Sequence, residues 1–145
     1  MSNRHFANLL WADDDSTLML KPLKWGLERG GLTTWEAKTY AAAQELLDSG
    51  TVSFDSLLVD TILPRTRGGT LNPYTGLDLA EYAAQNGVRC IGFLSVVALS
   101  EVFERYNQIV AAHPQVSFHY ANKLMLLEPY AIEQLIEALM PPKLS

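Results

Sequence analysis

Five short apolar runs, separated from one another by stretches of mostly helical character, place the tightest limit on how this chain folds. A strand that is followed by a helix and then by another strand must cross over. Repeated crossovers build a parallel sheet with helices packed on both faces. Residues 9–12, 56–59 and 90–94 are almost continuously apolar, as expected of strands covered on both sides. By contrast, residues 32–37 mix Thr33, Thr34 and Glu36 with apolar positions, and Val116, Phe118 and Tyr120 alternate with Ser117, His119 and Ala121. These two runs read as edges. Central first, third and fourth strands with second and fifth at the edges fit the order 2-1-3-4-5, the flavodoxin-like doubly wound α/β arrangement.

Helical spacing places Leu99, Val102, Phe103, Tyr106 and Val110 on one face, and Ile132, Leu135, Ile136 and Leu139 on another. A helix over 39–48 turns Ala42, Ala43, Leu46 and Leu47 inward and stops before Gly50. After the first strand Ser16 is a candidate cap, but Pro22 then falls beyond the first turn and predicts an irregular start. The chain of 145 residues suits one domain, so 1–145 is read as a single unit without an output domain.

Composition removes several classes of function. Eleven basic against sixteen acidic residues give a net charge of -5, and no basic cluster forms, which argues against direct binding of nucleic acid. No apolar stretch approaches the roughly 20 residues that span a bilayer, so no membrane partner is expected. The single Cys90 cannot form an internal disulfide, and the polar first eight residues lack a signal peptide. A cytoplasmic setting is expected.

Ligands of open parallel sheets bind where the strands end at their carboxyl termini. Here the first strand ends in Asp13, Asp14 and Asp15, the third in Asp60, the fourth in Ser95 and the fifth in Asn122 and Lys123. Carboxylates of Asp13, Asp14 and Asp60 held about 4 to 6 Å apart would repel by a few kcal/mol per pair at an effective dielectric near 20. A hard divalent cation relieves that repulsion, and an oxygen-only ligand set suits magnesium. A lysine and a hydroxyl complete a phosphate site. Asp15 and Ser16 read as helix caps. His5, His113 and His119 have no metal-ligand spacing and read as surface residues. Residues 65–69 lack the Gly-Lys-Ser/Thr ending of a phosphate-binding loop and read as a mobile surface loop.

The runs Leu9-Leu10-Trp11-Ala12-Asp13-Asp14-Asp15 and Leu57-Leu58-Val59-Asp60-Thr61-Ile62-Leu63-Pro64 resemble the response-regulator receiver domain, and the resemblance extends over nearly the whole chain. It implies that Asp60 accepts a phosphoryl group from a sensor histidine kinase or phosphotransfer protein. It further implies that Asp13, Asp14 and Asp60 hold Mg2+ with the Ile62 carbonyl, that Ser95 and Lys123 contact the phosphoryl oxygens, and that Tyr120 is the switch aromatic. The implied output is a conformational signal to a downstream protein partner, not enzymatic turnover beyond self-dephosphorylation.

Three departures from the family pattern stand out. Lys123 is followed by Leu124 where proline is usual, and Glu128-Pro129-Tyr130 offers a rival alignment that puts Glu128 in the lysine position. The register of Tyr120 favours Lys123. Val96 is bulkier than the usual small residue and predicts narrowed access to Asp60. Residues 65–75 form a longer connection than usual, one that either covers the site or binds a partner. The apolar run 124–127 is either a partner or homodimer surface on the last-strand/last-helix face, or an extra turn folded under the last helix. Two other functions remain open. Asp13-Asp14-Asp15-Ser16-Thr17 is similar to the opening motif of haloacid-dehalogenase-type phosphatases, with Asp13 as nucleophile, although the acidic pair which that family needs after a later strand is missing. A receiver-like interaction module that takes no phosphate is the second.

Overall fold

The five apolar runs become five parallel strands, β1 (Ala7–Ala12), β2 (Leu32–Ala37), β3 (Ser56–Asp60), β4 (Cys90–Ser95) and β5 (Ser117–Asn122), in the order β2-β1-β3-β4-β5. The computed structural model describes residues 7–14 and 21–141. The expected topology is therefore observed, with β3 and β4 buried along their whole length and β2 and β5 only in part. Asp15, Ser16 and His5 lie outside the described residues.

Because successive residues of a strand point to opposite faces, β1 alone divides its apolar side chains between two cores. Leu9 and Trp11 face α1 (Lys21–Arg29) and α5 (Pro129–Leu139), where Leu23, Leu27, Leu135 and Leu139 are buried. Leu10 and Ala12 face α2 (Tyr40–Ser49), α3 (Thr75–Gln85) and α4 (Leu99–Ala112), which contribute Ala43, Leu77, Val102 and Ile109. Each fully buried Leu contributes on the order of 2 kcal/mol from removal of apolar surface from water. Pro22 lies in α1, and the stretch before Lys21, where an irregular start is expected, lies outside the described residues. Helix α2 begins one residue later than expected because Thr39 is its cap, accepting a bond from the Ala42 amide, and it ends at Gly50 with φ 68°.

Two expectations need correction. Phe103 does not pack on the sheet but is 51% exposed; the buried stripe of α4 runs through Val102 and Ile109, with Leu99 and Tyr106 beside it. His119 is half-buried on β5, where burial lowers its pKa, and is not a freely solvated surface residue.

The amino end of α3 meets the carboxyl end of β3 through Gly76. Its amide donates to the Thr61 carbonyl at 3.0 Å, and a Cβ there would stand 2.1 Å from the Asp60 carbonyl oxygen and 2.6 Å from the Thr61 Cα. In Gly76→Ala the gain in helix propensity is about 1 kcal/mol. The clash is with backbone, which cannot rotate away, so the expected net result is a loss of about 3 kcal/mol in urea denaturation. Wild-type stability in that variant would show that α3 does not press on the Asp60 backbone.

Candidate functional site

The reversal in strand order falls between β1 and β3, and the side chains that follow these strands converge there. Backbone pairing carries β1 one step further, because the Asp13 amide donates to the Ala37 carbonyl at 2.9 Å. That fixes Asp13 at the carboxyl edge of the sheet, 8% exposed, with Asp14 beyond it in solvent. Asp60 closes β3 and is 6% exposed. One carboxylate oxygen from each of Asp13, Asp14 and Asp60 lies within 4.8 Å of the others. At an effective dielectric of about 20, charges that close repel by about 3 kcal/mol per pair.

Lys123 partly neutralises this cluster. Its ammonium donates to Asp60 Oδ2 at 3.0 Å and also stands 3.0 Å from Asp13 Oδ2. Asp60 Oδ1 accepts from the Ile62 amide at 2.9 Å. The pair responds unequally to its surroundings. Burial pushes the Asp60 carboxyl up, outweighing the hydrogen bond and attraction from Lys123. For Lys123 burial works against the charge, but bonds and attraction from Asp60 and Asp13 win and raise its pKa. The two directions agree physically: the deeper carboxylate pays more desolvation than one ammonium returns to it. An all-oxygen, three-carboxylate set fits a hard divalent cation such as Mg2+.

Of Lys123 and Glu128, it is Lys123 that stands beside Asp60. A 3-10 helix, Lys123–Leu127, opens directly from β5, with the Asn122 side chain accepting from the Leu124 amide. This turn absorbs the extra residues, so Lys123 stays at the strand end while Glu128 is exposed at the start of α5. The apolar run divides: Leu126 is buried beneath α5, as the reading of an extra turn under the last helix expects, whereas Leu124 and Met125 are 67% and 60% exposed. Val96 points outward, 56% exposed. The long connection after β3 is anchored where it starts. The Pro64 and Arg65 carbonyls accept from the first amides of α2, and Arg65 pairs with Asp78 at 2.6 Å while lying over the Tyr40 ring.

Ser95, at the end of β4, is fully buried. Its Oγ accepts from the Val97 amide at 2.9 Å and shares a short hydrogen bond with the Thr61 hydroxyl. Tyr120 turns inward, stacking on Phe93 and donating from its hydroxyl to the Val97 carbonyl at 2.7 Å. Thr61 is a member of the site that the sequence reading passed over. Its only signal was a hydroxyl directly after Asp60, where the neighbouring positions are apolar.

Sheet order and helix placement define a doubly wound α/β protein, with a carboxylate cluster at the switch point on its carboxyl edge. More narrowly, the fold is that of response-regulator receiver domains. The chain is similar to a response regulator from Thermotoga maritima, at 17% identity over 92% of this chain and 97% of that one, with a TM-score of 0.65. It is similar also to the non-phosphorylated HemR receiver domain of Leptospira biflexa, at 23% identity over 95% and 99% of the two chains, TM-score 0.63. A third similar structure is a Burkholderia pseudomallei response regulator with a phosphorylated aspartic acid, calcium ion and citrate, at 24% identity over 96% and 77%, TM-score 0.58. No protein-family model and no curated protein matches the sequence.

Proposed function

We propose that this chain is a signalling receiver that takes a phosphoryl group on Asp60 from a phosphohistidine of a histidine kinase or phosphotransfer protein. The observation that carries this reading is the placement of the Asp60 carboxylate, 3.0 Å from the Lys123 ammonium and within 4.8 Å of Asp13 and Asp14. A carboxylate oxygen of Asp60 forms a bond to phosphorus as the phosphorus–nitrogen bond breaks, and the bonding pair returns to the imidazole. Phosphoryl transfer asks little of a protein beyond positioning and fixed charge around the moving oxygens. Asp13, Asp14 and Asp60, with the Ile62 carbonyl, would hold a divalent cation, whose charge would offset that of the phosphoryl oxygens. The Burkholderia pseudomallei response regulator of similar fold, which contains a phosphorylated aspartic acid and a calcium ion, supports this assignment.

Lys123 and Ser95 serve as donors to the phosphoryl oxygens. Lys123 must then exchange part of its contact with Asp13 for the phosphoryl group, and Tyr120 repacks as the Ser95 segment moves. The changed surface of α4, β5 and α5 is what a downstream protein partner reads. A reducing, cytoplasmic setting fits the single buried Cys90. A phosphate-independent module is the weaker reading, because Val96 is exposed and Lys123 keeps its contacts without a following proline.

The test is intact mass after incubation on ice with acetyl phosphate and Mg2+. A gain of one phosphoryl group that disappears when EDTA replaces Mg2+ is the expected result. No gain, together with no Mg2+-dependent change in melting temperature, would sink the phosphoacceptor reading.

A further inference from the structure

We infer that Thr61 is a positioning residue for Ser95, holding the serine hydroxyl so that its proton is directed at a phosphoryl oxygen on Asp60. The inference rests on the phosphoacceptor reading above and adds a residue to it.

Strand register creates the pair. Asp60 lies opposite Leu94 in the β3–β4 ladder, so the next residues along, Thr61 and Ser95, come side by side where the strands end. Both are fully buried, and their hydroxyls share a short hydrogen bond. A serine hydroxyl offers one proton and two lone pairs. The Val97 amide occupies one lone pair of Ser95 Oγ at 2.9 Å. When Thr61 donates, the second lone pair is filled and the Ser95 proton is left over. When a phosphoryl oxygen arrives to take that proton, Thr61 has only to present its own. The Tyr120 hydroxyl lies close to both hydroxyls, so the pair is enclosed by a third hydroxyl that belongs to the same arrangement.

Tyr120 extends the same arrangement. Its hydroxyl donates at 2.7 Å to the carbonyl of Val97, the residue whose amide holds Ser95, and Phe93 and Tyr106 flank its ring. The Thr61–Ser95 bond, the Ser95–Val97 bond and the Val97–Tyr120 bond therefore form one chain from the residue next to Asp60 to the aromatic on β5. A chain of hydrogen bonds in a buried setting fixes the direction of each member.

The experiment compares the rate of phosphoryl gain from acetyl phosphate with Mg2+ in wild type, Thr61→Val, Thr61→Ser, Ser95→Ala and the double variant Thr61→Val/Ser95→Ala, by intact mass. Valine keeps the shape and removes the hydroxyl, so Thr61→Val should be slower by about threefold to tenfold, the range of one net hydrogen bond. Thr61→Ser should return to within about twofold of wild type. The double variant should be no slower than Ser95→Ala alone, since Thr61 acts through Ser95. Wild-type rates in Thr61→Val would overturn the inference. So would an equal slowing by Thr61→Val with and without Ser95, or a Thr61→Ser variant as slow as valine, since either points to packing. If wild type itself gained no phosphoryl group, the phosphoacceptor reading would fall first and this inference with it.

Discussion

The Asp60→Asn variant is expected to gain no phosphoryl group under conditions in which wild type is fully converted, while remaining folded and, without divalent cation, more stable than wild type near neutral pH. Asparagine occupies the same volume, and its amide oxygen can still accept from the Ile62 amide, as Asp60 Oδ1 does at 2.9 Å. What disappears is the nucleophilic carboxylate oxygen and one of the charges in the cluster of Asp13, Asp14 and Asp60. The stability change follows from linkage. Burial raises the Asp60 pKa in the folded protein above its ordinary 3.8, despite Lys123, so the folded state binds that proton more tightly than the unfolded state does. The resulting stabilisation is complete at pH below the ordinary value and is lost as pH rises through the raised one. Asn carries no such titration. Melting curves of both proteins from pH 4 to pH 7.5 should therefore diverge, with wild type losing ground as pH rises. Mg2+ should then restore wild type more than the variant, since the variant offers one carboxylate fewer. Parallel curves would mean that the Asp60 carboxylate is not strained by burial, and phosphoryl gain by the variant would move the acceptor elsewhere.

How much of this could be read from the chain depended on where the deciding contacts lie. The central strands were legible because burial on both faces leaves continuous apolar runs, and the mixed edges at Thr33 and Ser117 gave the strand order. Asp13, Asp14 and Asp60 were legible for the same reason, since strand ends are fixed once strands are. Helix α3 had no readable start: its cap position, Tyr74, offers no side-chain bond, and the constraint that places it is the close approach of Gly76 to the Asp60 backbone. Phe103 was misplaced because both it and Val102 satisfy helical spacing with Leu99 and Tyr106, and only packing against Phe93 and the sheet selects the face. The bond between Thr61 and Ser95 joins residues 34 positions apart through strand register, which no local pattern records. Lys123 was legible in part, because the register of Tyr120 favours it over Glu128, but the 3-10 helix that takes up the extra residues was not.

Lys123→Met should be the most destabilising single change at the site. Methionine keeps the length of the stem but withdraws the ammonium that lies 3.0 Å from both Asp60 Oδ2 and Asp13 Oδ2, where the two aspartates are 6% and 8% exposed. Removing one partner of a buried ion pair typically costs about 3–5 kcal/mol, because the remaining charge has already given up its water. Here two such carboxylates would be left facing each other and Asp14. The loss should be largest near neutral pH and should shrink as pH falls toward 4, where protonation of Asp60 begins to relieve the repulsion. In wild type, by contrast, the Lys123 contribution is present below the ordinary lysine value of 10.5 and is lost only as pH rises through its raised pKa. Urea denaturation at pH 7.5 and pH 4.5, each with and without Mg2+, separates the terms. The expected pattern is a large deficit at pH 7.5 that either acid or Mg2+ reduces, since both supply positive charge to the same oxygens. A deficit of the same size in all four conditions would mean that the stem of Lys123 matters through packing. No deficit at all would mean that water or other contacts satisfy the carboxylates, and that the ammonium is free to leave Asp13 when a phosphoryl group arrives.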